Sequence, residues 1–379
     1  MKIAIVVSDP PSGLLFYPIQ MALALKKLGH EVTAITSTID KAQAEGLKNT
    51  LDSNQIKIII CPHIGKSSSF INAVNLWLRG FIRPSYNIGV YSAIISTGPY
   101  VTWSLRHIYK QKCKIITVVN AMGHDGRSLL KPKIGAYLLN KYSDFAIALC
   151  HLEKIRLEKL GVIQGKIKII YNPLDLDIIY HLAEQVKLSD RQKIIPGRDA
   201  IINRKIIACL ASFQMRKCQA LLIEAFSKLS QDFMDFDLVL AGEGEEKSRC
   251  EDLALNLGLA EKVFFTGRLN NNDAISLIAA ATLVVHCSNA ETFGYSMVEP
   301  LLLEIPTLVT CVGIGWEMKK INVAEVVPVD NILELTAGLK RVLIGGPEIE
   351  DRRSRGKKFA EDNFDVHIIA RKFIDFIQH

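Results

Sequence analysis

The sequence predicts an α/β protein made of two doubly wound, Rossmann-like domains in tandem. Three observations support this fold class: strand-like apolar runs recur along the chain, helical patterns lie between them, and one polar stretch divides the series in two. With 379 residues, the chain is long enough for two domains that each bury a core. Continuous apolar strands alternating with helices are typical of parallel sheets covered on both faces.

The first series of elements occupies the N-terminal half. β-Branched apolar runs predict strands at residues 2–8, 31–36, 56–61, 90–96, 114–119, 145–149 and 166–171. The pattern after the first strand predicts a helix over 18–28 that ends at Gly29, a residue favoured just after a helix. We therefore expect an N-terminal domain over residues 1–180.

A link and a second series follow. Residues 172–203 are polar and weakly periodic and contain Pro173 and Pro196, so we interpret them as the link between domains. Strands are then predicted at 205–211, 236–241, 262–266, 282–287, 306–311 and 324–329, and helices at 220–229, 246–257 and 352–379. We assign 200–359 to a C-terminal domain and expect the helix over 360–379 to join the first domain. In such sheets ligands lie beyond the carboxyl ends of the strands, so we expect a cleft between the domains.

Composition excludes several classes of protein. No apolar run reaches the ~18–20 residues that span a bilayer, and the strand-like start of the chain lacks the pattern of a secretory signal. Eight cysteines without CxxC spacing indicate reduced thiols rather than a disulfide framework or a zinc site. We therefore expect a cytoplasmic enzyme.

Charge is uneven along the chain. Residues 1–180 hold 22 Lys and Arg against 11 Asp and Glu, whereas residues 181–379 hold 24 against 28. Residues 70–86 combine apolar and aromatic bulk with arginines, and further basic residues follow: Arg106, Lys110, Lys112, Lys114, Arg127, Lys131 and Lys133. This pattern suits peripheral contact with the anionic inner leaflet, and the alternative is a core helix with ordinary surface lysines. We expect no nucleic acid partner, because neither a nucleic-acid motif nor an aromatic stacking platform is evident.

The strongest candidate site is residues 291–299, Glu-Thr-Phe-Gly-Tyr-Ser-Met-Val-Glu, after a predicted buried strand and a short polar loop. Gly294 lets the backbone approach a ligand, and the amides of residues 293–296 would lie at a helix N-terminus, which favours a phosphate. Glu299 would lie one to two turns into that helix, where a carboxylate suits two ribose hydroxyls, and Glu291 can reach a sugar beyond the phosphates. Two isolated glutamates are more often structural.

These residues resemble the E-x7-E signature of the retaining GT-B glycosyltransferases, especially glycosyltransferase family 4. Further similarities follow in family order at residues 210–217, 221–226, 238–244, 263–267, 305–310 and 313–317, and upstream at 12–13, 29–32 and 170–175. The resemblance covers essentially the whole chain. It implies a GT-B fold.

The resemblance also implies a role for each matching residue. Glu291 would contact hydroxyls of the donor sugar, Glu299 would bind the nucleotide ribose, and Lys217 would neutralise the leaving diphosphate, which is the role of a metal in other enzymes. The donor-binding residues that it implies are Gly13, Arg216, Lys217, Gly242, Glu291, Phe293, Gly294, Tyr295, Ser296 and Glu299. The alternatives are a solvated surface lysine at position 217 and a plain turn at Gly13.

The chain departs from the family pattern at two places. The family usually has a Gly-Arg pair before the lysine, where this chain has Ala211 and Ser212, so Arg216 is the available substitute. Many members carry a histidine after the fifth strand, where this chain has Val119 and Asn120. His124 is the nearest histidine, and it either lines the cleft as a catalytic residue or lies in a solvent-facing loop.

Two other patterns have structural interpretations. Gly242-Glu-Gly244 lacks the third glycine of a dinucleotide-binding loop. Asp175-Leu-Asp177 and Asp235-Phe-Asp237 have the Asp-x-Asp form that binds metal in the other large glycosyltransferase fold. Because one lies in the link and the other precedes a strand, we interpret both as structural.

The resemblance implies a retaining, metal-independent hexosyltransferase with Glu291, Lys217 and His124 as its catalytic residues. Its donor would be UDP-glucose or a related UDP-hexose, used as a substrate with no further cofactor. The acceptor would be a glycan or lipid-linked, in polysaccharide or glycolipid synthesis. The alternatives are a catalytically weak donor-binding scaffold and a sugar-nucleotide epimerase on the same fold. The sequence does not specify an oligomeric state.

Overall fold

The computed structural model of the protein describes residues 1–7, 16–36, 51, 53–61, 88–107, 109–119, 130–185, 204–229 and 232–378. The chain forms two compact units. The N-terminal unit comprises Met1–Leu174 with Phe364–His379, and the C-terminal unit comprises Asp175–Asn363. Each unit consists of a parallel sheet and helices, so the predicted α/β class is confirmed.

The N-terminal unit has a seven-stranded sheet in the order β3-β2-β1-β4-β5-β6-β7. Its strands are β1 (Lys2–Val7), β2 (Glu31–Thr36), β3 (Lys57–Ile60), β4 (Ala93–Thr97), β5 (Lys114–Val118), β6 (Phe145–Ala148) and β7 (Ile167–Ile169), and its first helices are α1 (Phe16–Lys27), α2 (Pro99–His107), α3 (Leu130–Tyr142) and α4 (His151–Lys159). Central β1 is apolar after Lys2, and Ile3 and Ile5 are fully buried, as are Ala4 and Val6 on the opposite face. Burial on both faces explains why the strand is a continuous apolar run.

A chain of buried hydroxyls links three elements of this unit. Thr102 of α2 donates to Ser96 Oγ of β4 at 3.0 Å and shares a hydrogen bond of 2.6 Å with Thr117 of β5. Thr117 in turn lies 2.7 Å from Ser143 Oγ. These hydrogen bonds satisfy hydroxyl groups that would otherwise be costly to bury.

The C-terminal unit has a six-stranded sheet in the order β10-β9-β8-β11-β12-β13. Its strands are β8 (Lys205–Leu210), β9 (Phe236–Ala241), β10 (Val263–Gly267), β11 (Leu283–His286), β12 (Thr307–Thr310) and β13 (Glu325–Val327). Its helices are α5 (Leu176–Glu184), α6 (Gln219–Leu229), α7 (Lys247–Asn256), α8 (Asn271–Ala280), α9 (Tyr295–Leu302), α10 (Gly315–Ile321), α11 (Ile332–Ile344) and α12 (Pro347–Phe364). Every neighbouring pair is parallel, and the strand order reverses between β8 and β11.

The last helix, α13 (Val366–Gln378), belongs to the N-terminal unit and packs against α1. The ring of Phe373 lies 6.5 Å from that of Tyr17, measured between centroids. Lys114 Nζ donates to the carbonyls of Phe376 and Ile377 at 3.4 and 3.1 Å, so a cation caps the end of α13.

The stretch interpreted as a link contains a helix. Asp175 accepts a hydrogen bond from Ile178 N at 3.2 Å and thereby caps α5, and Ile179 is buried. This helix, which buries a single residue, Ile179, among its nine, was not predicted from the sequence. The remainder of the stretch, 186–203, lies outside the described residues.

Candidate functional site

A candidate site lies in the C-terminal unit where β8 and β11 end, at the reversal of strand order. The loops that follow these two strands are hydrogen-bonded to each other. Asn289 N donates to Arg216 O at 2.9 Å, and Cys287 Sγ donates to Lys217 O at 3.2 Å. Ligands of doubly wound sheets bind at such reversals, so these loops are the natural place for a site.

The centre of the site is the carboxylate of Glu291. Lys217 Nζ donates to its Oε1 in a very short contact, and His286 Nε2 lies 3.2 Å from the same oxygen. Arg216 Nη1 lies 3.5 Å from Oε2 and donates to Ala290 O at 3.1 Å. The side chains of Glu291 and Lys217 are only 10% and 12% exposed, so their ion pair is largely shielded from water.

Burial and charge act in opposite directions on the two titratable groups at this centre. Burial alone would raise the pKa of Glu291, but the hydrogen bond from His286 and the charge of Lys217 outweigh it and hold that pKa well below its usual range. Burial lowers the pKa of His286, against the opposing effect of Glu291. Glu291 is therefore ionised and His286 neutral at neutral pH.

The loop that carries Glu291 is braced by the loop after β12. Ile314 N donates to Phe293 O at 3.0 Å, and a Cβ on Gly313 would lie 2.3 Å from the same carbonyl oxygen. Gly313 also has φ of +51°, a conformation that favours glycine. Thr310 Oγ1 donates to Ser288 O at 2.5 Å. Backbone contacts thus set the position of Glu291.

Helix α9 begins directly after this loop. Gly294 precedes the helix with φ of +97°, and the hydrogen bond from Met297 N to Gly294 O closes the first turn at 3.1 Å. The preceding N–H groups have no acceptor within the helix, as at any helix N-terminus, so they can bind an anion. The predicted strand–loop–helix around Gly294 is confirmed.

Glu299 is the fifth residue of α9 and is half-buried. Burial raises its pKa to about 7. Burial also raises the pKa of Tyr295, one turn earlier, with a smaller effect from the Glu299 charge. In the part of the chain that the structure describes, the side chain of Glu299 makes no hydrogen bond or ion pair, unlike that of Glu291.

Gly242 and Gly244 let the loop after β9 lie against the loop after β8. Their φ angles are +147° and +153°, and a Cβ would lie 2.0 Å from Ala211 O at the first and 2.2 Å from Phe213 O at the second. This packing is a structural reason for Gly242, and its contact with a donor stays a prediction.

The structure brings together most of the predicted site residues that it describes. Lys217 is not a solvated surface lysine, and Arg216 lies beside Glu291. Gly13 and His124 lie outside the described residues. His286 was not predicted to belong to the site. The sequence did contain a signal for it, because a histidine ends the otherwise apolar strand β11.

Both Asp-x-Asp patterns take part in structural contacts. Asp237 is fully buried and accepts from Arg204 Nε at 2.7 Å, and Asp235 pairs with Lys205 at 3.0 Å. Asp175 caps α5. Among the described residues, no cluster of three or more His, Cys, Asp or Glu has the arrangement of a metal site.

Two of the basic residues expected at a membrane have partners within the N-terminal unit. Arg106 donates to the carbonyl of Cys113 and to Asp144, both at 2.8 Å, and Lys114 caps α13. Residues 70–86 lie outside the described part of the chain. Within the described ranges, no helix has the length and apolar character needed to cross a membrane.

Comparison with known families gives two matches. Residues 12–178 match the model described as Glycosyltransferase Family 4, and residues 176–359 match the model described as Glycosyl transferases group 1. The two matches meet near the boundary between the structural units.

Individual proteins are also similar to the chain. An uncharacterized glycosyltransferase of Methanocaldococcus jannaschii is 26% identical over 389 residues, which cover 99% of this chain and 97% of that protein. Mannosylfructose-phosphate synthase of Agrobacterium fabrum is 33% identical over 117 residues, which cover 29% of this chain and 26% of that protein.

Solved structures share the fold. HepE from Anabaena in complex with UDP and glucose has a TM-score of 0.77 at 17% identity, covering 100% of this chain and 99% of that chain. Sucrose-phosphate synthase from Thermosynechococcus elongatus has a TM-score of 0.77 at 16% identity, covering 100% and 98%. At these identities the likeness concerns the fold.

Proposed function

Because the chain belongs to the glycosyltransferases of the GT-B fold that these two family models describe, we propose that it transfers a hexose from a nucleotide sugar with retention of configuration. We take the donor to be a UDP-hexose such as UDP-glucose, and the acceptor to be a glycan or lipid-linked, in polysaccharide or glycolipid synthesis. The observation that carries the proposal is the buried, ionised Glu291 held by Lys217 where β8 and β11 end. The UDP complex of HepE supports the choice of nucleotide.

The proposed roles follow from the chemistry of each group. An ionised carboxylate only accepts hydrogen bonds, so Glu291 suits the hydroxyls of a sugar and Glu299 those of a ribose. The diphosphate would lie at the N-terminus of α9, whose first amides are free of intrahelical bonds. An ammonium has three donors, so Lys217 can hold Glu291 and still reach a phosphate oxygen.

We propose that the reaction proceeds without a metal ion. Lys217 and Arg216 are neighbouring cations at the site, and fixed cations stabilise the charge that develops on a leaving diphosphate. Arg216 would replace the arginine that the family has at the position of Ser212. Turnover that survives EDTA supports this proposal, and turnover that EDTA abolishes and Mg²⁺ restores contradicts it.

A panel of nucleotide sugars, with release of nucleoside diphosphate as the readout, tests the function. We expect turnover with one UDP-hexose and its loss in Glu291→Ala and Glu299→Ala. Glu245→Ala, at an exposed position on the same unit, is the matched control. If both site variants keep full activity, the assignment of the site is wrong.

Nucleotide binding without turnover would indicate the donor-binding scaffold instead of an enzyme. NMR of the product's anomeric proton decides whether the configuration is retained.

Contact with an anionic membrane is a separate proposal. It rests on the excess of basic residues over 1–180, and the structure assigns Arg106 and Lys114 to internal contacts. Flotation with vesicles of anionic lipid tests it. We expect binding that weakens as salt rises, because the attraction would be electrostatic. Equal binding to neutral vesicles, or none, would contradict it.

A further inference from the structure

The two oxygens of the Glu291 carboxylate have different surroundings. Oε1 accepts from Lys217 and faces His286 Nε2 at 3.2 Å. Among the described residues, Oε2 faces Arg216 alone, at 3.5 Å, and the Arg216 side chain is 43% exposed. One oxygen is therefore committed to interior donors, and the other is left to accept a hydrogen bond from a ligand.

His286 is built into the interior and reaches the site only through Glu291. It is the last residue of β11, and its side chain is 2% exposed. Thr310 Oγ1 lies 3.4 Å from its carbonyl oxygen, and Ser288 Oγ lies 3.4 Å from its Nε2. The charged groups that face it are Glu291 and Lys217. A ring fixed in this way on a strand can hold a carboxylate at a defined angle.

Lys217 alone cannot hold the Glu291 carboxylate at a defined angle. An ammonium is a point charge with rotatable donors on a flexible stem, so Lys217 attracts the carboxylate without fixing its rotation. A neutral imidazole has a single N–H in the plane of a rigid ring. Because Glu291 accepts only, the hydrogen bond with His286 requires the proton to be on Nε2.

We propose that His286 is a positioning residue that holds Oε1 of Glu291 inward, so that Oε2 accepts a hydroxyl of the donor sugar. This inference rests on the proposed function of Glu291. Displacing a contact by about 1 Å can slow a reaction about 100-fold, so the orientation of one carboxylate matters.

Two substitutions separate positioning from simple packing. His286→Leu removes the N–H and keeps apolar bulk, whereas His286→Gln can place an amide N–H near the position of Nε2. We expect His286→Leu to lower kcat/KM for the nucleotide sugar by about 10- to 100-fold. The Kd of the nucleoside diphosphate should stay within about twofold, because Glu291 contacts the sugar only. His286→Gln should recover most of the loss.

The pH profile gives a readout that packing would not change. The hydrogen bond from His286 helps to lower the pKa of Glu291. In His286→Leu the pKa of Glu291 rises, so Glu291 becomes protonated at a higher pH. As the pH is lowered, the activity of this variant should therefore begin to fall at a higher pH than that of the wild type. If His286→Gln is no better than His286→Leu, or if sugar and diphosphate affinities fall together, the positioning role is wrong and the proposed function stands.

NMR of the wild-type chain labelled with ¹⁵N-histidine tests the geometry without any donor. The signal that His286→Gln lacks belongs to His286. We expect a neutral ring with its proton on Nε2 at pH 7, because burial lowers its pKa. A charged ring, or a proton on Nδ1, would overturn the inference. A wild type that turns over no nucleotide sugar would instead refute the proposed function.

Discussion

Glu291 and Glu299 are eight residues apart in one loop–helix segment, but their pKa values are shifted in opposite directions. Glu291 has Lys217, His286 and Arg216 around it, and His286 and Lys217 lower its pKa against the opposing effect of burial. Glu299 is half-buried without such partners among the described residues, and burial raises its pKa to about 7. At pH 7, Glu291 is thus ionised and Glu299 is close to half-protonated.

The difference shows what each glutamate still needs. Glu291 has its partners within the protein, so its charge and orientation are set before a ligand binds. Glu299 carries the cost of burial and would gain most from a ligand that donates hydrogen bonds to it. The spacing of the two glutamates cannot show which of them has partners within the protein, because both belong to the same E-x7-E signature.

The largest effect should come from removing the cation that Glu291 requires. Lys217→Met keeps most of the length of the side chain and leaves a carboxylate that is only 10% exposed without its closest partner. We expect turnover to fall by about 1000-fold and the free energy of unfolding by about 2–3 kcal/mol. Urea denaturation and steady-state kinetics measure the two effects.

The double variant Lys217→Met with Glu291→Gln is the control. Since it removes both charges, it should regain most of the stability and none of the activity. Equal stability of Lys217→Met and the wild type would mean that the pair does not act as a buried ion pair.

Gly313→Ala should come next, because it disturbs the loop of Glu291 and spares Glu299. The new Cβ would lie 2.3 Å from Phe293 O in a backbone with φ of +51°. We expect about 2–3 kcal/mol lower stability and at least about 10-fold lower turnover. Gly345→Ala is the control, since Gly345 has φ of +75° and open space around it. Equal losses in both variants would assign the effect to φ strain rather than to the collision.

The strands could be predicted from the sequence because both sheets are parallel and buried on both faces. Each predicted strand range overlaps one of the thirteen strands of the described structure, and only β4 and β10 extend beyond their predicted ranges, by one residue each. The pairing of Lys217 with Glu291 was harder to foresee, because 74 residues separate them and only the adjacency of β8 and β11 brings them together. The helix α5 was missed because its nine residues bury little, and His286 because no spacing links it to Glu291.

A pH effect should be smaller and should belong to Glu299. With a pKa of about 7, Glu299 is mostly protonated at pH 6 and mostly ionised at pH 8. Only the ionised form accepts from both ribose hydroxyls, so donor affinity should rise with pH, by about tenfold across this range. Calorimetry with an intact nucleotide sugar measures it, because its esterified diphosphate does not titrate there. Glu299→Gln should bind weakly at every pH, and a pH dependence that persists in this variant would assign the effect to another group.

The smallest effect compares two buried threonines, one in the parallel sheet of each unit. Thr310 of β12 braces the loop of Glu291 through Ser288 O, whereas Thr117 of β5 joins the hydroxyl chain of the N-terminal unit. Valine matches threonine in shape and removes the hydroxyl, so Thr310→Val and Thr117→Val should each lose about 1–2 kcal/mol of stability. Of the two variants, Thr310→Val alone should also lower turnover, by a few-fold, because Thr310, unlike Thr117, holds the backbone beside Glu291. Urea midpoints and kcat/KM measured on both variants check this, and an equal loss of turnover in the two would show that the loop does not depend on Thr310.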